Sequence, residues 1–295
     1  MWLVFSKWTN FTRWLDSLNQ RFWCPDIREL IIMFWYSWIG KTEFTFFVAK
    51  ANAQIGNKVD YISLELPKQD MYTRMCQARA GVSKYQFQNN LYNERQKETM
   101  IKTRNELDSL TNLRIVTPLD DDYHPNNEYR YIDRAIRKGY DEWVRMFFID
   151  NLDKVLHDKS SWNENARYQA ITSALQDLKN ELNICIFVIH HSAKKGKNQV
   201  EQRSWVEWLR GSQKIVDNST QVFEIFRDLD VNDPSFSHNI TEVLQYKDSN
   251  WWPKWREKVQ YRDWTFVEYD KEKTQKELEE KKKKLKEEKK ENNPF

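Results

Sequence analysis

The 295-residue chain is long enough for one large α/β domain or two small ones with a buried core, and no apolar run of about 18 residues marks a membrane span. Residues 271–291 hold ten Lys and seven Glu, which accounts for the net charge of +3; the remaining body is close to neutral, and bulk charge does not argue for nucleic-acid binding. Cys24, Cys76 and Cys185 fit no metal-ligand spacing and residues 1–11 carry no cationic leader or small-residue cleavage site, so a reducing, cytoplasmic setting is expected.

In chain order, residues 30–34 (Leu-Ile-Ile-Met-Phe) predict a short buried strand, and residues 42–53 alternate at helical spacing. A second strand is expected at 59–64, a helix at 67–80 and a third strand at 113–117, with 84–110 polar and helical between them. Asp120-Asp121-Asp122 reads as a solvated turn. A helix follows at 129–138, then a fourth strand at 146–150 that ends in a carboxylate. After a polar loop at 153–165 come a long helix at 166–182 and a strongly apolar fifth strand at 184–189, ending at His190-His191; Cys185 reads as core. Residues 193–212 are basic and irregular, and strands at 221–226, 241–245, 257–261 and 264–269 complete the body. Strands alternating with helices imply a largely parallel sheet covered on both faces, with ligands bound beyond the carboxyl ends of its strands.

The chemistry-bearing residues fall at such ends. Strand, short loop, Gly40-Lys41-Thr42 and helix is the layout of a phosphate-binding loop, in which backbone N–H groups and a helix N-terminus surround a polyphosphate. Ser37, Gly40, Lys41 and Thr42 are the candidate nucleotide-binding residues; Lys41 would contact the outer phosphates and the Thr42 hydroxyl would ligate Mg2+. The consensus asks for glycine five residues before Gly40, and Trp35 stands there, with Trp38 inside the loop. Glu65 ends the second strand, where a carboxylate can deprotonate or orient a water attacking a γ-phosphate, although a surface glutamate would look the same. Asp150 has the pattern of a buried strand delivering one acid to a Mg2+-bound water. His191 can sense the γ-phosphate; because neighbouring residues of a strand face opposite ways, His190 and His191 do not form a two-histidine metal site. Lys194, Lys195, Lys197, Arg203 and Arg210 lie in one irregular segment that could track a phosphate backbone or be a solvated loop.

Placed in this order, the residues resemble the ATPase domain of DnaB-type replicative helicases, ring-forming members of the RecA-like group. Tyr61-Ile62-Ser63-Leu64-Glu65-Leu66-Pro67 with Met71, Arg74 and Met75 is similar to the strand and helix around that family's catalytic glutamate. Phe148-Ile149-Asp150 looks like its Walker B strand. The helix and strand ending at His191 resemble its sensor region, and Leu209-Arg210-Gly211-Ser212 with Asp217 is similar to the segment after its DNA-binding loop. The resemblance implies an α/β, RecA-like P-loop ATPase with a mostly parallel central sheet flanked by helices and antiparallel C-terminal strands, over residues 1–270; residues 271–295 would be a Lys/Glu-rich helical or disordered tail. It also implies ATP and Mg2+, single-stranded DNA as the track, a homo-hexameric ring, primase or a loader as partner, and a cytoplasmic setting. By resemblance Lys41 and Thr42 are the Walker A pair, Glu65 the base, Asp150 the Mg2+ acid and His191 the sensor. The family's Lys-x-Arg, which reaches a neighbouring subunit's nucleotide, falls on Lys247-Asp248-Ser249, with serine in place of the arginine finger. The family's primase-interacting domain has no counterpart in these residues, which fits a stand-alone motor domain or a shortened viral or plasmid-type version. Two other readings stand beside the motor: a RecA-like recombinase or loader, and a hydrolysis-defective DNA-binding ring subunit. Nothing in the chain reads base sequence, so DNA binding should be backbone-directed and salt-sensitive.

Glycine averages about 7%, about 20 residues at this length, and the chain has six glycines against 14 tryptophans. Trp35 and Trp38 stand where the family has glycine in the phosphate loop. Trp251, Trp252 and Trp255 occupy a glycine-rich turn of relatives, and Trp14 and Trp23 a glycine-rich stretch near the start. The codon UGA specifies tryptophan in some genetic codes and glycine in others, which would produce the excess and the deficit together; a diverged, aromatic-lined site is the alternative.

Overall fold

The computed structural model describes residues 15–18, 26–35, 41–118, 128–155, 164–191, 212–227, 240–249, 255–262, 265–274, 276 and 279–280; the side chains of Trp35, Lys41 and His191 lie outside that description. β1 (Leu30–Trp35) is an uninterrupted apolar run, the composition of a strand covered on both faces. It lies within a nine-stranded sheet with β2 (Val59–Ser63), β3 (Leu113–Val116), β4 (Met146–Asp150), β5 (Cys185–His191), β6 (Gln221–Arg227), β7 (Ile240–Asp248), β8 (Arg256–Arg262) and β9 (Thr265–Glu268). The order is β3-β2-β4-β5-β1-β6-β7-β8-β9. The strands from β3 to β6 in that order are parallel, and β7, β8 and β9 continue the sheet antiparallel. This is the α/β, RecA-like architecture expected from the sequence.

Among the described residues, helices between the strands are α1 (Lys41–Gln54), α2 (Lys68–Ala80), α3 (Lys84–Gln88), α4 (Glu94–Asp108), α5 (Glu128–Asp141), α6 (Glu164–Leu182) and α7 (Ser212–Asn218). They divide between two cores because successive strand residues face opposite ways. Ile31 and Met33 join Phe44 and Val48 of α1, Met71 of α2 and Met100 of α4. Leu30, Ile32 and Phe34 join Ile132 and Ile136 of α5, Leu175 of α6 and Ile215 of α7. On the first face Tyr61, Phe148 and Phe187 of adjacent strands stack with centroids 5.7 and 4.6 Å apart. Each such pair adds about 0.5–1.5 kcal/mol beyond area burial.

The polar, helical stretch 84–110 is two helices, and the break between them has a local cause. Ser83 and Asn93 each form a capping box, accepting from the backbone N–H of Gln86 and Gln96 while those side chains return to the cap's own N–H. Asn90 takes φ 55° between them. Asparagine competes for the backbone better than it propagates a helix. The acidic turn at Asp120-Asp121-Asp122 lies outside the described residues.

At the lower end of β2, Asp60 is buried and accepts from the Arg114 guanidinium at 2.9 and 2.6 Å. Burial pushes the Asp60 carboxyl above its usual range, and the Arg114 hydrogen bonds oppose that rise. Gly139 of α5 passes directly over this pair: a Cβ there would collide with Asp60 Oδ2 and meet Phe147 Cε1 at 2.8 Å. Gly139→Ala is therefore expected to destabilise the fold by about 1–3 kcal/mol, read as a lowered midpoint in urea; an unchanged midpoint would show that α5 can shift without disturbing the ion pair.

Candidate nucleotide-binding site

β4 carries Phe147, Phe148 and Ile149, all fully buried, and ends at Asp150, which remains 4% exposed. A carboxylate so placed must be hydrogen-bonded. Two donors converge on its Oδ2: the Thr42 hydroxyl at 2.9 Å and the Tyr61 phenol at 3.0 Å. The phenol's single proton goes to Asp150, so the Thr45 hydroxyl, 2.9 Å away, donates to the phenol oxygen. Burial first, then the charge of Asp150, raises the Tyr61 hydroxyl well above its usual pKa and keeps it a donor. Thr42 and Thr45 are on the first turn of α1, so this network fixes where the helix begins relative to β2 and β4.

One residue further on, β2 and β4 remain paired: the Leu64 N–H donates to the Asp150 carbonyl at 2.7 Å. Ser63 Oγ donates to the Leu66 carbonyl and accepts from the Leu66 N–H, making the turn that brings Glu65 out at the strand end. Glu65 is exposed, yet its Oε2 accepts from the buried Asn151 amide at 2.7 Å. Thr42 on α1 thus lies against Asp150 at the end of β4, and Glu65 follows the end of the adjacent β2. Asn151 and Tyr61 were missed as functional residues. The apolar run before Asp150 concealed the role of its neighbour, and an alternating strand tyrosine gives no signal beyond core packing.

Trp35 pairs with His191 in the β1–β5 register, so the backbone of the candidate sensor adjoins the start of the loop. The preceding His190 is fully buried; its Nδ1 lies 3.2 Å from Asp153 Oδ1, which also accepts from the Tyr168 hydroxyl at 2.7 Å. Lys247 is not brought to this site within the chain. β7 lies four strands from β4, about 19 Å at ~4.8 Å per strand. Its ammonium donates instead to the carbonyls of Val216, Asp217 and Ser219, at 2.6, 3.2 and 2.6 Å. Burial lowers its pKa. Ser37, Gly40, Lys194, Lys195, Lys197, Arg203 and Arg210, with Trp14, Trp23, Trp38, Trp251 and Trp252, lie outside the described residues.

A mostly parallel sheet continued by antiparallel C-terminal strands, with a helix starting beside a strand-end aspartate, matches the fold of RecA-like domains. Residues 14–251 match the family model of the DnaB-like helicase C terminal domain, and the chain belongs to that family. Its structure is similar to the ATPase domain of G40P, with a TM-score of 0.74 and 18% identity over 89% of this chain and 92% of that one. A DnaB-like replicative helicase described with its interactions with primase gives 0.75 and 17%, covering 89% of this chain and 62% of that chain. The RadB recombinase gives 0.54 and 12%, covering 88% and 100% respectively. At these identities the likenesses carry the fold alone. No curated protein matches the chain in sequence.

Tyr61→Phe keeps the stacked ring and removes the phenol donor from Asp150. It is expected to destabilise the protein by about 2 kcal/mol in urea unfolding. An unaltered midpoint would mean that Asp150 does not depend on the phenol.

Proposed function

We propose that the chain is the ATP-hydrolysing motor of a ring-shaped helicase that moves along single-stranded DNA. The observation that carries this reading is the meeting of Thr42, Asp150 and the Asn151-held Glu65 at the carboxyl ends of parallel strands. The Thr42 hydroxyl and Asp150 carboxylate are hard oxygen donors 2.9 Å apart, a set that suits Mg2+. Bound there, that ion would screen the charge on phosphate oxygens. The chain's own residues account for the remainder. Lys41 opens α1, whose N-terminal N–H groups favour a polyphosphate. Glu65, oriented by Asn151, takes a proton from the attacking water. His191 is suited by its place beside the loop to register the outer phosphate, and Lys194, Lys195, Lys197, Arg203 and Arg210 to follow a DNA backbone. Family membership supports a homo-hexameric ring, and the relative described with primase supports primase or a loader as partner, in the cytoplasm.

One observation favours a second reading, a hydrolysis-defective ring subunit. Ser249 stands at the finger position and Lys247 is engaged with the end of α7. Strand separation on a forked duplex, measured with ATP hydrolysis in the presence and absence of single-stranded DNA, separates the two. The motor reading expects DNA-stimulated hydrolysis that Glu65→Gln lowers by about 10²-fold or more, with nucleotide affinity retained; binding of DNA with no hydrolysis would favour the second. The loop as it stands is expected to bind ATP weakly, because tryptophan is at positions 35 and 38 where glycine would let the backbone approach phosphates closely. Trp35→Gly combined with Trp38→Gly should restore affinity, measured by calorimetry, and all hydrolysis assays are run in both backgrounds.

A further inference from the structure

Four described helices end with the same pair of backbone hydrogen bonds, a pattern that requires one residue in left-handed backbone conformation. After α1, Gly56 N–H donates to the Ala53 carbonyl and Asn57 N–H to that of Asn52. After α2, Gly81 and Val82 donate to Ala78 and Gln77; after α3, Asn90 and Leu91 donate to Phe87 and Gln86. After α5 the same two bonds run from Trp143 to Tyr140 and from Val144 to Gly139. α6 shares the outer bond, from Ile184 to Lys179, around Asn183. The left-handed residues have φ of 99° (Gly56), 63° (Gly81), 55° (Asn90), 70° (Trp143) and 53° (Asn183).

Glycine and asparagine are the residues that adopt this conformation readily; a bulky side chain there is a steric outlier. At Gly56 and Gly81 a Cβ would meet no atom within 4 Å, so the backbone angle alone selects glycine. Trp143 meets the same angle without compensation from packing. Its side chain is 72% exposed. The Arg145 guanidinium is 5.6 Å from its ring but sits closer, at 4.0 Å, over Tyr140, and already donates to the carbonyls of Tyr140 and Val144. Among the described residues the other bulky one at positive φ, Arg28, is held by its N–H on the Ile184 carbonyl and its guanidinium on Asn183.

We infer that positions 35, 38 and 143 are glycine in the working protein, and that tryptophan at these places records UGA codons that the source organism reads as glycine. Position 143 shows this from backbone geometry, independently of any motif. Position 35 is where a phosphate-binding loop requires its first glycine, and position 38 lies within the same loop. Six glycines against 14 tryptophans is the compositional trace of the same substitution. The inference does not extend to Trp255, which packs partly buried against the core. At 35 and 38 it rests on the nucleotide-site reading above; at 143 it does not.

The codons and one stability measurement test it. UGA is expected at 35, 38 and 143 of the coding DNA; UGG at these positions overturns the inference. In the full chain, Trp143→Gly should raise the midpoint of thermal unfolding by about 2–4 °C, and the reciprocal Gly81→Trp should lower it by a similar shift. No rise on Trp143→Gly overturns the assignment of position 143. If that rise is seen while Trp35→Gly with Trp38→Gly leaves ATP affinity unchanged, the loop assignment falls and that of position 143 stands.

Discussion

A carboxylate at the end of a fully buried strand constrains everything around it. Asp150 cannot lie at the end of Phe147-Phe148-Ile149 unless donors come to it, and they come from two different elements: Thr42 from the first turn of α1 and Tyr61 from β2. Tyr61 belongs at once to this polar network and, through its ring, to the stack with Phe148 and Phe187 that fills one core. Packing and site are therefore not separable here. The same ring that is buried for stability delivers the hydroxyl that holds the strand-end acid.

The alternation of faces organises the remainder. The face that receives α1, α2 and α4 carries Tyr61, Phe148 and Asp150's donors, whereas the opposite face, under α5, α6 and α7, carries His190 with Asp153 and Tyr168. Two polar networks thus flank the ends of β4 and β5, one facing each way. The antiparallel strands beyond β6 lie apart from both, and the sheet's edge strands, β3 and β9, are each only four residues long, which limits the unpaired edge they present.

Most of this was legible in the sequence where periodicity and chemistry coincided. An apolar run ending in Asp150, another ending in His190-His191, and a run before Gly40-Lys41-Thr42 each announced a buried parallel strand with a polar terminus. Interactions between residues whose types signal nothing on their own were not legible. Asn151 is polar by composition and is distinguished only by meeting Glu65. Lys247 reads as one surface lysine among many until its ammonium is found on three carbonyls. The break between α3 and α4 was hidden because the stretch is uniformly polar; left-handed Asn90 ends the first helix and the Asn93 capping box starts the next. Trp143 gave no pattern at all, since left-handed backbone leaves no trace in hydropathy.

Lys247 also ties two elements of the body together. Its ammonium, half-buried and bonded to the carbonyls that close α7, fastens that helix to β7. Ser249 adds a backbone bond to Thr220, whose hydroxyl in turn bridges the N–H and carbonyl of Leu30 at the foot of β1. α7, β7 and the base of β1 are thereby joined through one chain of hydrogen bonds. The strand that ends at Trp35 and the helix α7 are thus coupled at their roots, at the opposite end of the sheet from Asp150, as two prongs of one fork.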